Sequence, residues 1–65
     1  MRIEVNGEAQ DVAAVTLDGV LRELGFDSPA IATAVNGAFV AKSARAAQAL
    51  QDGDRVEVLA PMQGG

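Results

Sequence analysis

Two Asn-Gly pairs, at residues 6–7 and 36–37, constrain this chain more than any other feature. Each lies between short runs that favour extended backbone: RIEV and EAQDVAA flank the first, AIATAV and AFVA the second. An Asn-Gly pair supplies the two positive φ angles of a two-residue hairpin turn, whose twist suits the strands it joins. Two β-hairpins are therefore predicted. Residues 2 to 6 alternate in period two, which puts Ile3 and Val5 on one face and Arg2, Glu4 and Asn6 on the other. The return strand, within residues 8 to 14, is the weakest element because of its alanines. In the second hairpin, residues 30 to 35 read as a buried strand and 38 to 41 as its partner.

Between the hairpins, Leu17, Val20, Leu21 and Leu24 recur at three- and four-residue spacing, the mark of an amphipathic helix. Thr16 is placed to cap it, Asp18 complements its dipole, Gly25 offers a left-handed stop, and Phe26 is expected to fold back onto its apolar face. A helix of roughly nine residues is marginal alone, and Gly19 costs it about 1 kcal/mol relative to alanine. It must draw its stability from lying across the sheet. After the second hairpin, Ser43 is expected to cap a short helical stretch through Leu50, with Ala44, Ala47 and Leu50 facing inward. Asp52-Gly53-Asp54 then turns the chain into a last strand at 55 to 59, with Val56 and Val58 on one face and Arg55, Glu57 and Leu59 on the other. This order predicts a single α+β domain over residues 1–65, with the last strand beside the first in the centre of one sheet. Residues 60–65 then project past the end of that sheet as a flexible tail.

Composition narrows the function. A chain of 65 residues buries only about 60% of its unfolded surface, so no large enclosed active site is expected. There is no His, Cys, Tyr or Trp, which removes the commonest general base and the best side-chain nucleophile. Ser28, Ser43, Thr16, Thr33 and Lys42 have no evident activating partner, so independent catalysis is not expected and any reactive group belongs on a chain terminus. The lack of cysteine fits a cytoplasmic setting. The opening MRIEVNGEAQ has the pattern of neither a signal peptide nor a membrane span. Net charge is −4 with the five cations scattered, so neither nucleic acid nor membrane is an expected partner. Asp52 and Asp54 read as a solvated turn rather than a metal site, and no metal site is expected elsewhere. Lys42 and Arg45 read as solvated, and Phe39 is placed in the core first and on the surface second.

The sequence closes on PMQGG. Two terminal glycines arise by chance in roughly 0.5% of chains, so the ending carries weight only with its context. That context is LQDGDRVEVLAPMQGG (50–65), together with AVNGAFV (34–40) and IEVNGE (3–8). In these phrases the chain resembles the ThiS family, the sulfur carriers of thiamine biosynthesis, over nearly its whole length. The LxDGDxVEVLxPxQGG pattern is the most specific part.

The resemblance implies a β-grasp, or ubiquitin-like, fold: a mixed sheet with one main helix packed across it and a Gly-Gly tail. It also implies a carrier rather than an enzyme. In the family, an E1-like adenylyltransferase of the ThiF type uses ATP and magnesium to adenylate the last glycine's carboxylate, which then becomes a thiocarboxylate. A persulfide donor such as a cysteine desulfurase supplies the sulfur, and a thiazole synthase of the ThiG type receives it. Carried onto this chain, the reacting carboxylate is that of Gly65, and Gly64, Gln63, Met62 and Pro61 form the segment that enters the partner's active site. No cofactor is expected to be bound by the chain itself. Leu59, Phe39 and Lys42 are the candidate partner-docking residues.

Glycine suits such a tail because, without Cβ, it adopts angles closed to other residues and fits a narrow channel. Six extended residues reach about 20 Å. Many relatives carry Val-Pro-Arg and then an aromatic residue after the second hairpin, where this chain has Val40-Ala41-Lys42 and then Arg45. The segment between the second strand and the helix is also about one residue short. These departures are expected to touch surface loops. A MoaD-like carrier for molybdopterin synthesis, a ubiquitin-like protein modifier and a plain β-grasp binding module remain as alternatives.

Overall fold

The computed structural model describes residues 1 to 60; the predicted tail residues 61 to 65 lie outside the described residues. Among the described residues, five strands and one α-helix follow in the predicted order: β1 (Arg2–Val5), β2 (Glu8–Asp11), α1 (Leu17–Glu23), β3 (Ala32–Val35), β4 (Ala38–Val40) and β5 (Arg55–Leu59). A 3₁₀ turn at Lys42–Ala47 separates β4 from β5. The strands form one mixed sheet in the order β2-β1-β5-β3-β4, with β5 parallel to β1 and antiparallel to β3. The last strand thus lies in the middle, as the hairpin-helix-hairpin order predicts.

Both Asn-Gly turns have the expected backbone, with φ of 51° at Asn6 and Asn36 and 83° and 84° at the glycines that follow. Their side chains do more than favour the turn. Asn36 Oδ1 accepts from the Arg55 N–H at 2.9 Å and its Nδ2 donates to Asp54 Oδ1 at 3.0 Å. Asn6 Oδ1 accepts from the Val58 N–H at 2.9 Å and its Nδ2 donates to the Val58 carbonyl at 3.1 Å. The two turns therefore grip β5 near its opposite ends.

The helix begins as predicted, with Thr16 Oγ1 accepting from the Gly19 N–H at 3.2 Å. At its far end Gly25 (φ 84°) donates to the Arg22 carbonyl and Phe26 to the Leu21 carbonyl, a Schellman pair that folds Phe26 back against the core. Gly19 also finds its reason. A Cβ there would lie 2.9 Å from the Ala14 Cβ, so the helix start accepts the chain that crosses it only without a side chain. Leu17, Val20 and Leu21 pack against Ile3, Val5, Val35, Val56 and Val58 from the sheet, with Val12, Ile31, Val40 and Leu50 closing the core.

The segment after β4 departs from expectation. Ala41 rather than Ser43 stands at the cap position, and Ala44 and Ala47 are exposed while Arg45 is buried; Leu50 is buried as expected. The expected inward face assumed a 3.6-residue period; a 3₁₀ turn has a period of three, which rotates the buried position to Arg45. Arg45, expected in solvent, is only 6% exposed. Its Nε donates to Thr33 Oγ1 at 3.0 Å and its Nη2 to the Ile31 carbonyl at 2.7 Å, while the Thr33 hydroxyl donates to the Val40 carbonyl at 2.8 Å. A buried guanidinium is tolerated where its N–H groups find acceptors, and this relay ties the 3₁₀ turn to β3 and β4. Arg45 is thus an interior position, not part of a surface loop.

Candidate protein-docking surface

Among the described residues, no helix lies over the sheet face turned away from α1. Its side chains follow from register. Because Asn36-Gly37 is a two-residue turn, Val35 pairs with Ala38 and Ala34 with Phe39, so Phe39 shares the face of Ala34 and lies opposite Val35 and Val40. Phe39 is accordingly 73% exposed, which corrects its first placement in the core. Leu59 is 65% exposed, on the face its alternation with Val56 and Val58 predicts. It pairs with Ala32, and Glu57 pairs with Ala34.

Phe39, Ala34, Ala32 and Leu59 therefore form a contiguous apolar strip, edged by Glu57, around a shallow hollow of about 150 Å³. A wider open groove of about 620 Å³ continues from Leu59 and Glu57 across Arg55 and Glu4 to the two Asn-Gly turns. Apolar residues scattered singly over a surface need no explanation, but two large ones brought together beside small alanines make this strip the candidate docking surface.

The structure joins Leu59 to Phe39 and leaves Lys42 apart. Lys42 is exposed and borders a different groove, on the helix side, with Arg22, Asp18 and Asp27. Ala32, Ala34 and Glu57 belong to the patch without having been singled out in sequence, although the register set by Asn36-Gly37 contained that signal. Pro61, Met62, Gln63, Gly64 and Gly65 lie outside the described residues; β5 carries the chain toward them past Leu59, at the edge of the patch.

The acidic turn before β5 binds the protein's own backbone. Asp52 Oδ1 accepts from the Arg2 N–H at 2.7 Å, and Asp54 Oδ2 from the Gln51 N–H at 2.8 Å. The Asn36 side-chain amide, and then the Gln51 N–H, hold the Asp54 carboxyl below its usual value. Glu23 is held low in the same way: the Ala14 N–H donates to one carboxylate oxygen at 2.9 Å and the Ala13 N–H to both at 3.0 Å. These carboxylates order loops. Among the described residues no three His, Cys, Asp or Glu side chains converge as metal ligands, and no helix is long and apolar enough to cross a membrane.

Three kinds of likeness bear on this arrangement. The chain is 39% identical to a thiazole synthase of Paramagnetospirillum magneticum and 38% identical to one of Magnetococcus marinus, in each case over all of this chain and 20% of the relative. The chain thus spans about a fifth of the length of these curated relatives. In structure it resembles the crystal structure of the thiamine biosynthesis protein ThiS from Geobacter metallireducens, with a TM-score of 0.85, 29% identity and full coverage of both chains. A solution structure of a thiamine biosynthesis protein from the same organism gives a TM-score of 0.79 and 30% identity, covering all of this chain and 88% of the other. The sequence model of the ThiS family matches residues 3–65, from β1 through the glycine pair, and with the β-grasp sheet this establishes that the chain belongs to the ThiS family.

Proposed function

We propose that this protein carries sulfur for the thiazole ring of thiamine, as a co-substrate of other enzymes, with the Gly65 carboxylate as the reacting group. The observation that carries the proposal is a family match that runs unbroken to residue 65, on a fold shared over its full length with a thiamine biosynthesis protein. The chemistry requires a free carboxylate at Gly65, and the supply of every catalytic group by the partner accords with the absence of His and Cys.

A terminal carboxylate has a pKa of about 3.3 to 3.7, so at neutral pH it is an anion that resists a sulfur nucleophile. Activation comes first. A carboxylate oxygen attacks the α-phosphorus of ATP, the bond to pyrophosphate breaks, and an acyl-adenylate forms. Sulfide sulfur then attacks the acyl carbon, the acyl–oxygen bond breaks, and AMP leaves with that oxygen. The product is a thiocarboxylate. An E1-like adenylyltransferase, using ATP and magnesium, supplies the electrostatic stabilisation that both displacements need. A cysteine desulfurase is the proposed source of the sulfur as a persulfide; its outer sulfur reaches the sulfide level when a thiol attacks the inner sulfur, the S–S bond breaks, and the two thiol sulfurs end as a disulfide. The likeness to thiazole synthases supports an enzyme of that kind as acceptor. The Phe39–Leu59 patch is proposed as the surface these partners grip.

Intact-protein mass spectrometry tests the proposal. Incubated with ATP, magnesium, sulfide and the adenylyltransferase of the same organism, the chain should gain the mass of one oxygen exchanged for sulfur. Deletion of Gly65 should abolish the gain and leave thermal unfolding unchanged. No gain with an adenylyltransferase that turns over ATP normally would exclude the carrier role.

A further inference from the structure

The two Asn-Gly turns share a sequence and a backbone, yet they hold different ends of β5. Alternate residues of β5 direct their backbone groups to opposite neighbours. Arg55 faces the β3 side, where the Asn36 N–H donates to its carbonyl at 2.7 Å, and Val56 faces β1, where the Asn6 N–H donates to its carbonyl at 2.9 Å. Val58 therefore also faces β1. By that point β1 has ended, because the chain turns away at Asn6 with a φ of 51°.

The backbone N–H and carbonyl of Val58 would have no strand beside them, and the Asn6 side chain takes both. A primary amide presents the same donor and acceptor as a peptide unit, so it stands in for the strand residue that the turn removed. We propose that Asn6 is a positioning residue for the C-terminal segment: by extending the β1–β5 ladder through Val58, it fixes the line along which the chain leaves the sheet after Leu59. The inference rests on the carrier role proposed above, because the line of departure matters only if that segment must enter a partner's active site. An error of direction at its base is multiplied along a segment that reaches about 20 Å when extended. On the other flank, β3 pairs with β5 as far as Ala32 and Leu59, so loss of the Asn6 bonds would leave the strand held from one side only.

The test compares Asn6→Gly with Asn36→Gly. Glycine keeps the positive φ of each turn and removes only the side chain. Each substitution deletes two hydrogen bonds, but at opposite ends of β5. Two quantities are read: hydrogen exchange at the Val58 amide relative to Val56 in the same molecule, and the kinetics of sulfur loading with the chain as varied substrate. Asn6→Gly should speed Val58 exchange about tenfold and raise KM about five- to tenfold, with kcat within about twofold. Asn36→Gly should leave both near the unsubstituted values despite a similar loss of stability.

Equal KM changes in the two variants, or unchanged Val58 exchange in Asn6→Gly, would overturn the inference while the unsubstituted chain still loads sulfur. Failure of the unsubstituted chain to load would overturn the carrier role and the inference with it. Should Asn6→Gly not fold, Asn6→Asp keeps the turn and an acceptor for the Val58 N–H but sets a carboxylate oxygen against the Val58 carbonyl. It should raise KM in the same sense, and an unchanged KM would count against the inference.

Discussion

The two faces of the sheet are built from the same strands yet carry opposite kinds of surface. Under α1, the strands present Ile3, Val5, Val35, Val56 and Val58, each at most 7% exposed. On the far face the same strands present Glu4, Ala32, Ala34, Arg55, Glu57 and Leu59, with Phe39 from β4 beside them. In β5 the division falls between adjacent residues. Val56 and Val58 hold the fold, while Glu57 and Leu59 face outward, so a period of two separates the core from the proposed docking face within five residues. Substitutions on one face should therefore move quantities that substitutions on the other leave alone.

The covered face gives the largest effect. Leu17 is fully buried at the start of α1, and Leu17→Ala should cost about 2 to 5 kcal/mol. A domain of this size is stable by about 3 to 10 kcal/mol, so urea titration should show a sharply lowered midpoint, and the folded fraction should still load sulfur normally. The open face should behave the other way round. Leu59→Ser and Phe39→Ser should each weaken binding to the adenylyltransferase by about tenfold, as for an apolar anchor in an interface, while moving unfolding free energy by less than about 0.5 kcal/mol. Unchanged affinity in both variants would remove the patch as a docking surface. A stability loss as large as that of Leu17→Ala would mean that the two faces do not divide the work.

Most of this division is legible in the sequence, and the exceptions have physical causes. Alternation in RIEV and RVEVL assigns β1 and β5 correctly, and the capped 3.6-residue pattern finds α1. Phe39 is misplaced by the ordinary preference of aromatic rings for the interior, although the two-residue turn at Asn36-Gly37 already dictates its face. Counting outward from that turn pairs 34 with 39, and Ala34 lies opposite the buried Val35. Arg45 was not legible. Nothing local shows that a 3₁₀ turn replaces an α-helix there, and its acceptors, the Ile31 carbonyl and the Thr33 hydroxyl, are 14 and 12 residues away. Asn6 and Asn36 announce their turns, but their grip on β5 depends on which strand the topology lays beside them. The likeness to the ThiS family is the source of the chemistry proposed at Gly65, while the register brings Phe39 and Leu59 onto one face.

The smallest effect sharpens the comparison by acting on the covered side without altering its apolar contacts. Glu23, at the last turn of α1, receives N–H bonds from Ala13 and Ala14 and so fastens the helix to the loop after β2. These bonds hold its carboxyl below the ordinary value in the native state, Ala14 contributing most. A depressed native pKa stabilises the fold above the unfolded-state value and loses that contribution as pH falls through the native one. The unfolded value is about 4.3, so the contribution is complete above roughly pH 5 and fades below roughly pH 4. Asp54 titrates in the same direction, so acidification of the unsubstituted protein alone reports both groups. Glu23→Ala separates them. The difference in unfolding midpoint between the unsubstituted protein and Glu23→Ala should be constant from pH 7 to 5 and shrink toward pH 3. A difference that persists undiminished at pH 3 would show that the ionised carboxylate does not fasten the helix, and that Glu23 supports the covered face through contacts that do not depend on its charge.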